Sequence, residues 1–268
     1  MTIDILICSK DKGVVRIIDV LQAPQPDVRY IVSYQYTDER YLDLIPEGLT
    51  SREDVKLFTY NGQGLSANRN LAMEKATADL ILFADDDSRL DPDSTRNIFG
   101  VFEAHPDLDI AFFQASTYRG KELKDYPKEE MELTDMPESY VVSALEMVCR
   151  RERVVRTLRF DERFGLGTPY LTCGEEEIWM EDAKRRGMKM RYVPIKIVET
   201  STLLKKDRFL VDAGVQRSRG AIAYYKYGLR AWPYCLRLAF SNARAGLCSF
   251  WPLMKHLSEG IRYMRNTK

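Results

Sequence analysis

Leu80-Ile81-Leu82-Phe83-Ala84-Asp85-Asp86-Asp87 sets an apolar run directly before three carboxylates. A short apolar run bounded by polar residues suits a strand covered on both faces. Acids closing such a strand fall in the crevice at the carboxyl ends of a parallel sheet, where α/β proteins bind ligands. Nearby in sequence only Arg89 offsets them, so the cluster should attract a divalent cation. Hard carboxylate oxygens suit Mn²⁺ or Mg²⁺, which in turn grip phosphate oxygens. A bare Asp triplet reads equally well as a solvated acidic turn. The buried strand before it, and the segments around it, favour the site.

Upstream, Ile3–Cys8 reads as a strand that runs into the polar loop Ser9-Lys10-Asp11-Lys12-Gly13. Val14–Leu21 carries apolar residues at helical spacing and stops before Pro24 and Pro26. Val28–Ser33 and Val55–Phe58 are further strands, and Asn61-Gly62-Gln63-Gly64 is a turn-rich loop. Ser66 is placed to cap a helix over Ala67–Ala78. Strand–helix–strand alternation with short connections predicts βαβ units and a largely parallel sheet.

Downstream, a helix over Asp91–Ala104 and a strand over Ile110–Gln114 follow. Arg119–Ser139 is polar, contains Pro127 and Pro137, and reads as a long loop or lid. Val141–Cys149 is compatible with strand or helix. Glu175–Arg186 is a helix with basic residues in its last turn and Gly187 behind it. Met190–Val193 and Ile195–Val198 supply a final strand region that Pro194 interrupts.

The chain has 268 residues, 45% of them hydrophobic and 30% charged, as in ordinary globular proteins. A formal net charge of zero conceals segregation. Leu203–Lys268 holds 13 Lys+Arg against 3 Asp+Glu, and the remainder therefore holds 27 against 37. The division suggests a domain over residues 1–202 and a basic, aromatic-rich helical segment over 203–268. Pro233 and Pro252 split that segment into about three helices. Basic helices with Trp and Tyr suit an anionic membrane surface; packing of the aromatics on the preceding domain accounts for them equally well. Nucleic-acid binding is disfavoured, because no recognised motif is present and the rest of the chain is acidic. The five cysteines are scattered, odd in number and without metal-site spacing, which argues against a disulfide framework or a zinc site. Neither a signal peptide nor a transmembrane stretch is apparent, so a cytoplasmic protein, peripheral at most to the membrane, is expected.

Three segments resemble family 2 glycosyltransferases, with their glycosyltransferase A-type α/β fold: a mixed, mostly parallel central sheet flanked by helices. Gly64-Leu65-Ser66-Ala67-Asn68-Arg69-Asn70 is similar to the family's Ser-x-x-Arg-Asn helix start. Phe83-Ala84-Asp85-Asp86-Asp87 is similar to its Asp-x-Asp (DXD) motif. Phe160-Asp161-Glu162-Arg163-Phe164-Gly165, followed by Gly174-Glu175-Glu176-Glu177, resembles its acceptor-side segment. The resemblance covers roughly residues 3–200.

It implies inverting transfer of a sugar, of the hexosyl type, from a nucleoside diphosphate sugar to an acceptor hydroxyl. The acceptor would be a saccharide or lipid-linked saccharide, in surface polysaccharide or glycolipid assembly. The departing diphosphate gains charge, which a bound Mn²⁺ or Mg²⁺ stabilises. Asp87 is the implied main metal ligand, with Asp85 on the metal or ribose. Asp86 points to the other side of an extended strand end. The hydroxyl nucleophile needs a carboxylate to take its proton. That base is implied to be Glu176, with Glu175 or Glu177 in reserve. Ser9, Arg69, Asp85 and Asp86 are the implied nucleotide contacts. Arg69 is equally readable as a surface arginine beside a capping serine, and the glutamates as partners of the helix dipole.

Two departures from the family stand out. The second strand ends in Ser33-Tyr34-Gln35-Tyr36 where an acid usually meets the base, leaving Tyr34 or Tyr36 to stack on it. Val198-Glu199-Thr200 stands where a His is common, making Glu199 a candidate hard ligand. His105 is read as a helix-end cap and His256 as a surface residue. Two other functions compete: a sugar-phosphate nucleotidyltransferase, whose Gly-rich loop after the first strand is poorly matched by Cys8–Gly13, and a non-catalytic nucleotide-sugar-binding module, against which the intact acids count.

Overall fold

A computed structural model of the chain describes residues 1–136, 140–201 and 208–267. The expected boundary near 202/203 and the end of the Arg119–Ser139 loop fall outside the described residues. Contacts group the chain into two compact units. One comprises Met1–Gln63, Ala67–Arg159 and Ala183–Leu204; the other comprises Gly64–Ser66, Phe160–Asp182 and Lys205–Lys268.

The strands of the first unit are β1 (Ile3–Lys10), β2 (Val28–Tyr36), β3 (Val55–Asn61), β4 (Leu80–Asp85), β5 (Ser88–Leu90), β6 (Ile110–Thr117), β7 (Met131–Glu132), β8 (Met147–Arg150) and β9 (Met190–Thr200). They form one sheet in the order β3-β2-β1-β4-β8-β6-β9-β5, with β7 also on β9. β3, β2, β1 and β4 run parallel, as do β6 and β9. The pairs β4–β8, β6–β8, β5–β9 and β7–β9 are antiparallel. The expected α/β class and mixed, mostly parallel central sheet are therefore present.

β4 is covered on both faces, as its composition requires: Leu80, Ile81, Leu82 and Phe83 are all buried. Each such side chain contributes roughly 1.5–3 kcal/mol of transfer free energy. The buried Asp4 carboxylate holds the entry to β4, accepting from the Thr77 and Ala78 amides at 2.6 and 2.8 Å and from Arg29 Nε at 3.0 Å. β9 continues through Pro194 as one strand, where the sequence suggested two. Its pairing with β6 skips from Tyr192 to Lys196, so Pro194 lies where no ladder amide is required.

The helices are α1 (Ile17–Val20), α2 (Glu47–Thr50), α3 (Leu65–Lys75), α4 (Ser94–Ala104), α5 (Arg151–Val154), α6 (Glu175–Arg185), α7 (Arg208–Val211), α8 (Ala213–Tyr227), α9 (Ala231–Arg244) and α10 (Phe250–Asn266). Residues Asp11–Arg16, expected to belong partly to a helix over Val14–Leu21, form a 3-10 turn ahead of α1. The ambiguous Val141–Cys149 stretch resolves into a 3-10 turn at Ala144–Glu146 and the start of β8. Pro233 and Pro252 occupy first turns of α9 and α10, where amides have no intrahelical partner.

In the second unit α8 and α10 approach to backbone contact. A Cβ on Gly220 would lie 2.0 Å from the Leu257 carbonyl oxygen, and one on Gly260 would lie 1.9 Å from that of Arg217. Ala231, Cys235 and Ala239 of α9 pack with Leu253, Leu257 and Ile261 of α10. Asp212 caps α8, accepting from the Gly214 and Val215 amides at 2.8 and 3.1 Å. His256, expected at the surface, is half-buried and bonded through Nδ1 to Gln216 Oε1 at 2.6 Å. His105 ends α4 as expected, and its ring also meets Glu130 at 3.1 Å. All five cysteines are free.

Candidate active site

The acid triplet leaves β4 beside β1, where Cys8 is the register partner of Asp85. Asp85 is the most open of the three, with Arg69 Nη2 at 4.0 Å from its Oδ1. Arg69 is itself buried on α3, which rules out the surface-arginine reading. Its neighbour Asn68 donates to the Ser9 carbonyl at 3.1 Å. Asp86 turns toward the first loop, accepting from Ser9 Oγ at 2.7 Å and from Arg16 Nη2. Burial raises the Asp86 carboxyl above its usual range, opposed by the Ser9 hydroxyl and the Arg16 guanidinium. Gly13 faces the same carboxylate so closely that a Cβ there would lie 2.1 Å from Oδ2.

Asp87 turns the other way. Its carboxylate accepts from Thr200 Oγ1 at 3.2 Å and from the Ser201 hydroxyl, both at the end of β9. The Tyr118 hydroxyl donates to its main-chain carbonyl. Arg89, the one cation the sequence placed beside the triplet, lies over the Tyr118 ring at 5.0 Å. Arg16 and Arg69, distant in sequence, stand nearer the carboxylates. Glu199 accepts from Lys196 Nζ at 2.8 Å, and it is the neighbouring Thr200 that meets Asp87. Tyr34 is not available for stacking: it is buried, and its hydroxyl donates to the Asp11 and Tyr41 carbonyls at 2.9 and 2.8 Å.

Among the described residues no three His, Cys, Asp or Glu side chains gather as a ready-made metal cage. Mg²⁺-type ions, however, are commonly held by one or two carboxylates, with phosphate oxygens and water completing the shell. Asp85 and Asp87 fit that donor set, and the Thr200 and Ser201 hydroxyls hold Asp87 in a fixed orientation.

In the second unit Gly174 (φ +94°) leads directly into Glu175 and α6. Glu175 is buried near Gly165, whose own φ is +109°; a Cβ at that glycine would lie 3.2 Å from the Glu175 carboxyl carbon. Ser66 is not a helix cap. α3 starts one residue earlier, and the Ser66 hydroxyl donates to the Phe164 carbonyl at 2.7 Å. Glu177 is engaged by Arg219 Nη1 at 3.0 and 3.1 Å and by Lys226 at 3.4 Å. Glu176 is half-buried in the first turn of α6. Ser9, Arg16, Thr200, Ser201 and Tyr118 acquire their relation to the triplet only through the fold. Of these the sequence pointed to Ser9 alone, and Arg16 carries no motif that would mark it.

The family model of glycosyl transferase family 2 matches residues 9–168, and the chain belongs to that family of glycosyltransferases. The fold is similar to that of S. aureus TarS residues 1–349. At 12% identity and a TM-score of 0.63, the alignment covers 100% of this chain and 92% of that one. The same TarS fragment in complex with UDP-GlcNAc aligns at 12% identity and TM-score 0.62, covering 100% and 93%. Its complex with UDP aligns at 12% and 0.62, covering 100% and 92%. A comparison with curated proteins finds no match.

Proposed function

We propose that the protein is a metal-dependent, inverting glycosyltransferase that moves a sugar from a nucleoside diphosphate sugar to an acceptor hydroxyl. The observation that carries this reading is the fixed Asp87 carboxylate in the turn after β4, held by two hydroxyls beside the more open Asp85. Family membership supports it, and so does the binding of UDP-GlcNAc by a protein of similar fold. Asp87 and Asp85 would hold Mn²⁺ or Mg²⁺, which when bound offsets charge on the diphosphate leaving group. Arg69, buried and adjacent to Asp85, orients an anionic donor by its planar guanidinium. Ser9 and Asp86 shape the loop beside the nucleotide rather than touching the reacting atoms.

Glu176 takes the proton from the acceptor hydroxyl as the glycosidic bond forms, the role an inverting transfer asks of a base. Glu175 is the alternative base. Glu177, whose carboxylate Arg219 and Lys226 engage, is the further alternative. A catalytic region over 1–202 and an acceptor that is a saccharide or lipid-linked saccharide complete the reading. Calorimetry with Mn²⁺ and a panel of UDP sugars, paired with a transfer assay, tests it. Wild-type protein should bind a donor only with the metal, and Glu176→Gln should bind without transferring. A well-folded protein that takes up no activated sugar under these conditions rules the function out.

A further inference from the structure

The second unit presents a surface that sugar transfer does not require. No acidic residue occurs between Asp212 and Glu259, a span that includes all of α9. α9 buries the small residues Ala231, Cys235 and Ala239 and turns larger apolar side chains outward. Leu236 and Phe240, four residues apart on one helical face, are exposed, Phe240 to 61%. Leu229 before the helix and Leu247 after it are also exposed, and Trp251 at the start of α10 is 79% exposed. Arg230, Arg237 and Arg244 recur every seventh residue, so they line one flank of that apolar face. Among the described residues no carboxylate pairs with any of the three, whereas Arg219 and Lys226 on α8 are paired with Glu177.

From this arrangement we infer that the α9 face, continued by Trp251, seats the protein on an anionic lipid bilayer. A protruding Trp and Phe suit the headgroup–acyl boundary, and arginines beside them reach lipid phosphates while their stems stay apolar. The absence of acids along the span gives the complementarity to a negative leaflet that a second copy of the same basic face would lack. None of the described helices is long and apolar enough to cross a membrane, so seating on the surface is the geometry available to them. The inference stands apart from the donor chemistry and holds whichever sugar is transferred.

Co-sedimentation of the full chain with phosphatidylcholine vesicles, with and without phosphatidylglycerol, tests it at low and high salt. Wild-type protein should bind only the anionic vesicles and release as salt rises. The triple variant Arg230→Gln/Arg237→Gln/Arg244→Gln should bind about a hundredfold more weakly, at roughly fivefold for each charge near the surface. Phe240→Ser/Trp251→Ser should also lose binding while keeping the wild-type unfolding temperature. Tryptophan emission of the unmodified chain, to which Trp179, Trp232 and Trp251 all contribute, gives a readout independent of any variant: the part from the exposed Trp251 should shift to the blue and be quenched by brominated phosphatidylglycerol. Equal binding to neutral vesicles, variants that bind like wild type, or unshifted emission each overturn the inference. So does a dimer in sedimentation velocity that Phe240→Ser converts to monomer without changing vesicle binding.

Discussion

The chain carries two acidic triplets, and they are solved in opposite ways. Asp85 closes β4, and Asp86 and Asp87 form the turn into β5 rather than the extended strand end the sequence suggested. Asp85 faces Arg69, Asp86 faces Ser9 and Arg16, and Asp87 faces Thr200 and Ser201. Three like charges are thus separated and met by different partners. Glu175-Glu176-Glu177 opens a helix, where free amides and the macrodipole offset negative charge collectively. There the residues differ in depth: Glu175 is buried, Glu176 half-buried, and Glu177 held by two cations. The turn leaving the strand separates its acids by direction and so offers individually oriented ligands. A helix start lets neighbouring acids share one favourable potential, which suits a proton acceptor.

The contrast is tested most severely by one substitution in each triplet. Glu176→Gln should lower transfer by about a thousandfold or more, within the range for loss of a general base, and leave Mn²⁺-dependent donor affinity unchanged by calorimetry. Asp87→Ala should abolish that affinity. If Glu176→Gln still transfers, the base is Glu175. Thr200→Val keeps the shape but removes a hydroxyl from Asp87. Losing a partner that orients a metal ligand costs about 10–100-fold in metal affinity, which Mn²⁺ titration followed by paramagnetic resonance would measure. Gly13→Ala drives a methyl into the Asp86 carboxylate, so thermal unfolding should show a loss of about 1–3 kcal/mol, typical of overpacking. The smallest effect belongs to the other triplet: Arg219→Met at the partly exposed Glu177 pair should cost no more than about 1 kcal/mol and less in high salt.

A third kind of acid puts both triplets in perspective. Glu146 is fully buried, with Lys124 Nζ at 2.8 Å and the Tyr126 and Tyr140 hydroxyls also on it. Burial raises its carboxyl above the usual range, and Lys124 opposes that shift. Lys124→Met should destabilise the fold by about 3–5 kcal/mol, because a buried charge is left unpaired. An acid whose folded pKa is raised contributes its full stability below the unfolded value and loses it as pH rises through the folded one. The Lys124→Met deficit should therefore shrink as the pH of a denaturant titration falls toward 4.5.

The sheet was legible where composition is one-sided. β4 is apolar throughout and its acids are adjacent, so both the strand and the candidate site appear in eight consecutive residues. α6 was legible from its charges, and its end is closed as anticipated, with Gly187 (φ +66°) donating to the Lys184 carbonyl at 2.9 Å. What stayed hidden depends on long-range meetings. Ser66 satisfies every local criterion for a cap, yet its hydroxyl goes to Phe164, 98 residues away. Thr200 reaches Asp87 across 113 residues, and a strand-end threonine has no local mark of that role. Pro194 misled for the reverse reason: a local breaker is harmless where the ladder has an irregularity.

The reciprocal glycine contact between α8 and α10 has a dynamic consequence. With main chain against main chain at Gly220 and again at Gly260, neither helix has slack to roll or slide while the other stays put. Local opening then cannot release one without the other, and their interior amides should exchange with deuterium as a single cooperative block, at one common free energy.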